Sequence, residues 1–499
     1  MIKHSADTTA PLDSACLPAL AARGIPVPGY PRNGAPGVVH LGLGAFHRAH
    51  QALVFDSLLQ RGDMRWGVFG VAMRSSALAD ALQAQDGLYA LQVASSAGSQ
   101  WQVGGAIWQT AVAARDPARV IQAMAASSTR WLTLTVTEKG YGPELAQLIV
   151  QGLVARQAAG LPGLTIASCD NLQGNGRQLQ ALCLAAARQL SPALADWVAA
   201  CCAFPNSMVD RIVPAATPQR LAAAHQALGV ADGAALGTEA FWEWVIERRF
   251  ADASDAEVLA ACGVTVVDDV APFEDAKLRL LNGSHTAMAC MGAVAGWPVI
   301  GECIAQPAVR SFIHGLMTQE VGPQLARPDW PAYRDALLAR FANSALQHSV
   351  HQIASDSSQK IPQRWPPSVL GALRAGLPVE RLAFAAAAWM RYLRGSDESG
   401  NSYVMNDPMA AALQALALAH TGDAAASVQA LGNLPGIWGE ALPKDQRWLA
   451  LITRNLDAIH RLGVLGALEQ LQARMDGEQT ALPGFSRQID LQPTAGKGK

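Results

Sequence analysis

Between residues 273 and 285 the chain reads Phe-Glu-Asp-Ala-Lys-Leu-Arg-Leu-Leu-Asn-Gly-Ser-His, and Lys277, Asn282 and His285 are the side chains there that could do chemistry together. On a helix advancing ~100° per residue, Asn282 lies about 140° and His285 about 80° round from Lys277. All three can therefore border one cleft without forming a tight stripe. A lysine pushed into an apolar cleft loses solvation, its pKa falls, and it can take an alcohol proton near neutral pH. An asparagine amide can donate to the alkoxide that develops. The competing reading is a solvated helix face carrying ordinary polar residues.

A second group of residues suits a nucleotide. Val38-Val39-His40-Leu41 reads as a short strand and runs straight into Gly42-Leu43-Gly44-Ala45-Phe46. Gly42 allows a tight turn, and Gly44 lets the backbone approach a pyrophosphate at a helix N-terminus. The third glycine of the usual fingerprint is replaced by His47. The next strand, Trp66 to Val71, should end in an acid for the adenosine ribose. It ends instead in Ala72-Met73-Arg74-Ser75-Ser76, where Arg74 leaves room for the 2′-phosphate of NADP. His40, His47 and His50 lie close in sequence, but no nearby Cys or acid completes a ligand set, so no metal is expected.

The elements that must position these groups fall into two regimes. Strand-like runs at Gly37–Leu41, Trp66–Val71, Trp131–Val136 and Leu164–Ala167 alternate with helical segments at 45–60, 76–83 and 117–126. That alternation implies an α/β fold, a parallel sheet covered on both faces. From about residue 271 the chain turns alanine-rich and helical, with segments at 277–294, 308–319, 330–342, 380–394, 408–419 and 446–462. We therefore expect an extension over 1–36, a Rossmann-type domain over 37–270, a mostly α-helical substrate domain over 271–490 and a tail over 491–499.

Composition narrows the function classes. Half of the 499 residues are hydrophobic, 16% are charged and the net charge is −2. Such a chain buries a large core and has no field that would draw nucleic acid or an anionic membrane. The eight cysteines include no C-x-x-C pair, and no apolar leader follows Met1. A cytoplasmic protein with reduced thiols is expected, with no nucleic acid, membrane or obligate protein partner.

The motifs HLGLGAFHRAH (40–50), TVTEKGY (135–141), SCDNLQGNG (168–176), FPNSMVDRIVP (204–214), KLRLLNGSH (277–285) and QIASDSSQKIPQR (352–364) occur in order. In combination they make the chain resemble the polyol-specific long-chain dehydrogenases, the mannitol dehydrogenase family, over nearly its whole length. The resemblance implies NAD as cofactor, held by Gly42, Gly44, Ala45, Phe46 and Arg74, and catalysis without a metal. It implies Lys277 as general base, Asn206 and Asn282 polarising the reacting oxygen, and His285 positioning substrate. Glu138 and Glu274 match acids linked to proton passage toward the lysine.

Within that family the 352–364 segment is most similar to fructuronate reductases (D-mannonate oxidoreductases). Gln352 stands where long-chain mannitol dehydrogenases generally have Arg, and Lys360 matches a lysine on the substrate side. With Arg364, these residues suggest a pocket for a sugar-acid carboxylate. Asn206 agrees with the mannitol enzymes instead, so a dehydrogenase of mannitol or arabinitol is the alternative. A non-catalytic nucleotide-binding regulator is the reading from another class, and the intact Lys277, Asn282 and His285 argue against it.

Overall fold

Apolar, β-branched runs become parallel strands where helices can cover both of their faces. Five such runs form one sheet: β1 (Val38–Leu41), β2 (Val68–Ala72), β3 (Ile107–Val112), β4 (Trp131–Leu134) and β5 (Thr165–Ser168). Their order across the sheet is β3-β2-β1-β4-β5, and every neighbouring pair is parallel. Every residue of β1, β2, β4 and β5 is buried. This computed structural model describes residues 10–95, 98–343 and 348–480, so the tail expected over 491–499 lies outside the described residues.

Register decides where the loops emerge. Leu41 is level with Val71 and with Leu134, and Leu134 is level with Ser168. The segments beginning at Gly42, Met73, Thr135 and Cys169 therefore leave one edge of the sheet together. Chain order reverses between β1 and β4, and a crevice outside the carboxyl ends of such strands is where doubly wound sheets take ligands.

The chain divides into two compact units. The first comprises Met1–Leu278, Leu325–Trp330 and Ala342–His348; the second comprises Arg279–Gln324, Pro331–Phe341 and Ser349–Lys499. The first unit thus runs past the expected boundary at 270 and includes Lys277. It also absorbs part of the segment expected to be a surface extension. Asp13 caps a short turn over Ser14–Cys16, a helix follows over Leu17–Ala22, and Leu12 and Leu20 are buried in a cluster with Leu88, Leu228 and Ala235. The Gly and Pro residues around them disguised two core leucines.

Two further sheets in this unit have no clear sequence signal. Tyr89–Ser95 pairs antiparallel with Gly98–Gly104 and parallel with Leu236–Glu239. Glu243–Glu247 lies between Ser207–Asp210, antiparallel, and Thr265–Val267, parallel. Their strands are short and partly polar, and each is completed by a partner far away in sequence. The helical stretch expected over 45–60 is broken at His50 into Ala45–Ala49 and Gln51–Gln60.

The second unit is helical among its described residues. The helices Gly283–Ala295 and Glu380–Tyr392 are buried on nearly all sides and pack on each other, as helices apolar all round must. The last helix, expected to stop at Leu462, bends at Gly463 (φ 70°) and resumes to Thr480. Glu398 accepts from the Val464 N–H at 2.6 Å and so caps the resumed turn. Helix Ser357–Arg364 runs through Pro362, which it tolerates two residues before its end.

Glu320 is fully buried and accepts from the N–H groups of Arg381 at 2.7 Å and Leu382 at 2.9 Å, at the start of helix Glu380–Tyr392. Burial raises its pKa from 4.5 to about 7, against the pull of those donors. The folded state then holds this proton more tightly than the unfolded one. Its stabilising contribution is full below about pH 4.5 and is lost as pH rises through about 7. Glu320→Gln, a neutral mimic of the protonated acid, should gain on the wild type in Tm across that window. Thermal melts over a pH series test it, and a Tm difference independent of pH would refute it.

Candidate active site

The turn after β1 is built by a close backbone approach. Gly42 has φ 95°, and a Cβ placed there would sit 2.2 Å from the Thr135 carbonyl oxygen, so only glycine serves. Arg48 steadies the turn from below: its Nε donates to the Gly44 carbonyl at 3.2 Å, and the Tyr89 hydroxyl donates to the Arg48 carbonyl at 2.7 Å. Gly42, Gly44, Ala45 and Phe46 line a cavity of about 620 Å³ whose other wall holds Thr135, Asn171 and Val209. A second cavity, of about 600 Å³, has Met73, Arg74 and Ala113 in its wall and adjoins the first at Thr137 and Lys139. The pair runs from the end of β1 to the ends of β2 and β3, and both volumes lie in the range of cofactor sites. The floor without a Cβ at residue 42 and the two adjoining cavities fit a dinucleotide. Arg74 is exposed at the rim, and no carboxylate stands between Met73 and Ser76.

The nearby histidines are structural. His40 Nδ1 bonds Thr133 Oγ1 at 2.8 Å, its Nε2 bonds Thr135 Oγ1 at 3.0 Å, and its ring stacks on His47 at 3.4 Å. His50 Nε2 bonds the Glu243 carbonyl at 3.0 Å. Burial lowers the pKa of His40 and of His50 to about 3, so both are neutral under ordinary conditions.

Lys277 begins a π-helical turn, Lys277–Asn282, between the helices Ala271–Ala276 and Gly283–Ala295. In such a turn residue i bonds residue i+5, so the α-helical offset of Asn282 from Lys277 does not apply. Within the first unit, Lys277 Nζ donates to Asn171 Oδ1 at 2.6 Å and to the Val209 carbonyl. Both residues that hold the amine, Asn171 and Val209, line the cavity beneath Gly42.

Asn171 was not singled out from the sequence, although it lies in the SCDN stretch immediately after β5. Asn206, expected to polarise the reacting oxygen, is committed elsewhere. Its Oδ1 accepts from the Arg177 N–H at 3.0 Å, and its Nδ2 donates to Glu247 Oε1 at 2.7 Å. Both ends of that amide are thus bonded within the first unit, and Asn171 is the amide that meets Lys277. Glu138 is exposed at the mouth of the cavity. Glu274 accepts from the Gly174 N–H at 3.1 Å, at the start of helix Asn175–Leu190, and burial raises its pKa.

In the second unit, Asn282 closes the π turn, and its carbonyl accepts from Thr286 Oγ1 at 2.9 Å and from Arg364 Nη1 at 3.2 Å. The half-buried His285 ring lies 5.2 Å from that of Phe341. Arg364 also donates to the Thr286 hydroxyl, and burial lowers its pKa to about 10. Lys360 Nζ donates to the carbonyls of Ser355 and Ile353, at the C-terminal end of helix Val350–Ala354. Gln352 is exposed on that same helix. The three residues expected to converge on a carboxylate thus have separate local surroundings. Arg364 braces the helix that carries Asn282 and His285.

A β3-β2-β1-β4-β5 sheet, a glycine turn at its switch point and a lysine held by two residues of the cavity lining define a Rossmann-type dehydrogenase. Residues 36–257 match the mannitol dehydrogenase Rossmann domain, and residues 269–460 match the mannitol dehydrogenase C-terminal domain. The chain belongs to the mannitol dehydrogenase family. It is 37% identical to a mannitol 2-dehydrogenase of Phaeosphaeria nodorum over 89% of this chain and 83% of that one. It is equally 37% identical to the D-mannonate oxidoreductase of Escherichia coli, over 83% of this chain and 91% of that one. Its fold superposes on Pseudomonas fluorescens mannitol 2-dehydrogenase, solved with NAD and D-mannitol. The TM-score is 0.79, the identity 31%, and the match covers 93% of this chain and 99% of that one. Among the described residues no helix is long and apolar enough to cross a membrane.

Three substitutions check the geometry. Gly42→Ala should lower Tm and weaken dinucleotide binding, because the new methyl group meets a main-chain carbonyl; a variant that melts and binds as the wild type would refute the close approach. Asn171→Ala should cut turnover with little change in Tm, whereas Asn206→Ala should lower Tm by stripping the half-buried Glu247 carboxylate of its partner. The reverse pattern would make Asn206, and not Asn171, the amide that turnover needs.

Proposed function

We propose that the chain uses NAD to interconvert a secondary alcohol and a ketone of a sugar acid, the D-mannonate/D-fructuronate pair. The observation that carries the reaction type is the Lys277 amine held by Asn171 and Val209, two residues that line the cavity under Gly42–Gly44. In oxidation, Lys277 takes the alcohol proton while Asn171 directs its amine, and Asn282 donates to the developing alkoxide. His285 orients the hydroxyl, and Glu138 and Glu274 pass the proton between solvent and Lys277. Bound NAD would accept the hydride. The NAD-bound P. fluorescens relative supports this cofactor.

The sugar-acid reading rests on the 352–364 segment, with Lys360 as the charge for a carboxylate. A neutral hexitol such as mannitol is the second reading. It is favoured by the donation of Lys360 to main-chain carbonyls and by the exposure of Gln352. A panel of mannonate, altronate, mannitol and arabinitol, each with NAD and NADP, decides between them. Mannonate with NAD should give the highest kcat/KM, and Lys360→Met should raise KM for mannonate far more than for any neutral polyol. Faster turnover of mannitol would hand the assignment to the hexitol. Lys277→Ala should lower kcat by roughly 10²–10⁴-fold with NAD binding retained; near-normal turnover would move the base to His285.

A further inference from the structure

The loop that follows β4 crosses the place where the two cavities meet, and it does so in a backbone shape that threonine resists. Thr137 has φ 65° and ψ 164°, a region open to glycine and costly for a β-branched residue. A conformation of this kind persists only where its surroundings enforce it. The enforcing group here is a single carboxylate. Asp170 Oδ1 accepts from the Thr137 N–H at 2.8 Å, and Oδ2 accepts from the Val136 N–H at 3.1 Å and from the Tyr141 hydroxyl at 3.2 Å. Tyr141 is tied in turn to Ser168 Oγ, and Asn175 Nδ2 donates to the Asp170 carbonyl at 3.0 Å, which fixes the residue that does the holding. Asp170 immediately precedes Asn171, the partner of Lys277.

We infer that Asp170 is a positioning residue: it clamps the strained Val136–Thr137 backbone in the form that leaves the dinucleotide groove open, and ties that loop to the strand end carrying the partner of the base. This rests on the cofactor reading above. Each carboxylate oxygen serves a different main-chain N–H. An asparagine would keep one acceptor and turn its own NH₂ group against the other N–H, so Asp170→Asn removes half of the clamp without changing the volume of the side chain.

The inference predicts a specific rescue. Without the clamp, Thr137 relaxes and the groove distorts; with glycine at 137 the same backbone shape needs no enforcement. Titration of NAD into the cofactor-free protein, read by quenching of tryptophan fluorescence, should show Kd raised about tenfold or more in Asp170→Asn. The double variant Asp170→Asn/Thr137→Gly should recover most of that loss. Wild-type affinity in the single variant, or a double variant no tighter than the single, would overturn the inference. Should Asp170→Asn fail to fold, Tyr141→Phe, which removes one donor from the same carboxylate, should weaken NAD binding in the same direction, and no change would overturn it. Hydrogen exchange on the cofactor-free wild type gives a reading independent of NAD. The peptide bearing the Val136 and Thr137 amides should exchange slowly, and fast exchange there would sink the clamp. Failure of the wild type to bind NAD, with slow exchange at 136–137, would instead overturn the cofactor reading and leave the clamp standing.

Discussion

The first unit depends on one main-chain contact, the approach of residue 42 to the carbonyl of Thr135. β1 and β4 run in register from Val38 opposite Trp131 to Leu41 opposite Leu134, so the residues that follow both strands arrive at the same level. With no side chain between them, the two loops can stay in contact after the ladder ends. That contact sets the floor of the cavity and the place where the loop after β4 must turn away. Any side chain at residue 42 would push these strand ends apart, and the cavity would lose the wall that Thr135 supplies.

The remaining alignment is carried by bonded polar groups in the core, since an unbonded one there costs about 1–3 kcal/mol or more. Asp255 accepts from Trp131 Nε1 at 2.7 Å and from Arg130 at 3.0 Å, joining the start of β4 to the helix Asp255–Ala260. Asp232 accepts from the N–H groups of Ala90 and Ala234 and from Gln85, which draws in the sheet containing Tyr89–Ser95. Arg211 donates to the carbonyls of Glu239 and Ala49, while Glu239 accepts from the Ile212 N–H at 2.6 Å. Hydrophobic burial would tolerate small shifts between these sheets. Directional bonds at both ends of a charged side chain do not, so the strand carrying Val209 is held in place to receive the lysine.

The lysine is delivered by a local departure from α-helical geometry. A π turn begins at Lys277 and ends at Asn282, and it is followed by a helix buried on almost every side. Arg364 stabilises the end of that turn by donating to the Asn282 carbonyl. The alanines that fill Gly283–Ala295 and Glu380–Tyr392 let those two helices pack closely, which steadies the element that continues from the π turn.

Much of this was legible in the residues themselves. The apolar runs at 38–41, 68–71, 131–134 and 165–167, the glycine turn at 42–44 and the alanine-rich second half carry local signals, because strand formation, glycine geometry and helix propensity depend on neighbours in sequence. The ordered motifs likewise identified the family. Other features were invisible for a shared reason: each is decided by a partner far away along the chain. Leu12 and Leu20 are core only because Leu88 and Leu228 meet them. The strand 236–239 exists because Tyr89–Ser95, far earlier in the chain, pairs with it. The two asparagines make the point most sharply. Both sit in recognisable motifs and have the same chemistry. Folding places Asn206 against Glu247, where its amide is consumed, and Asn171 against the amine of Lys277. Side-chain type and spacing determined that an amide and a lysine were available, while the long-range register of β5 and Ser207–Asp210 decided which amide the lysine would meet.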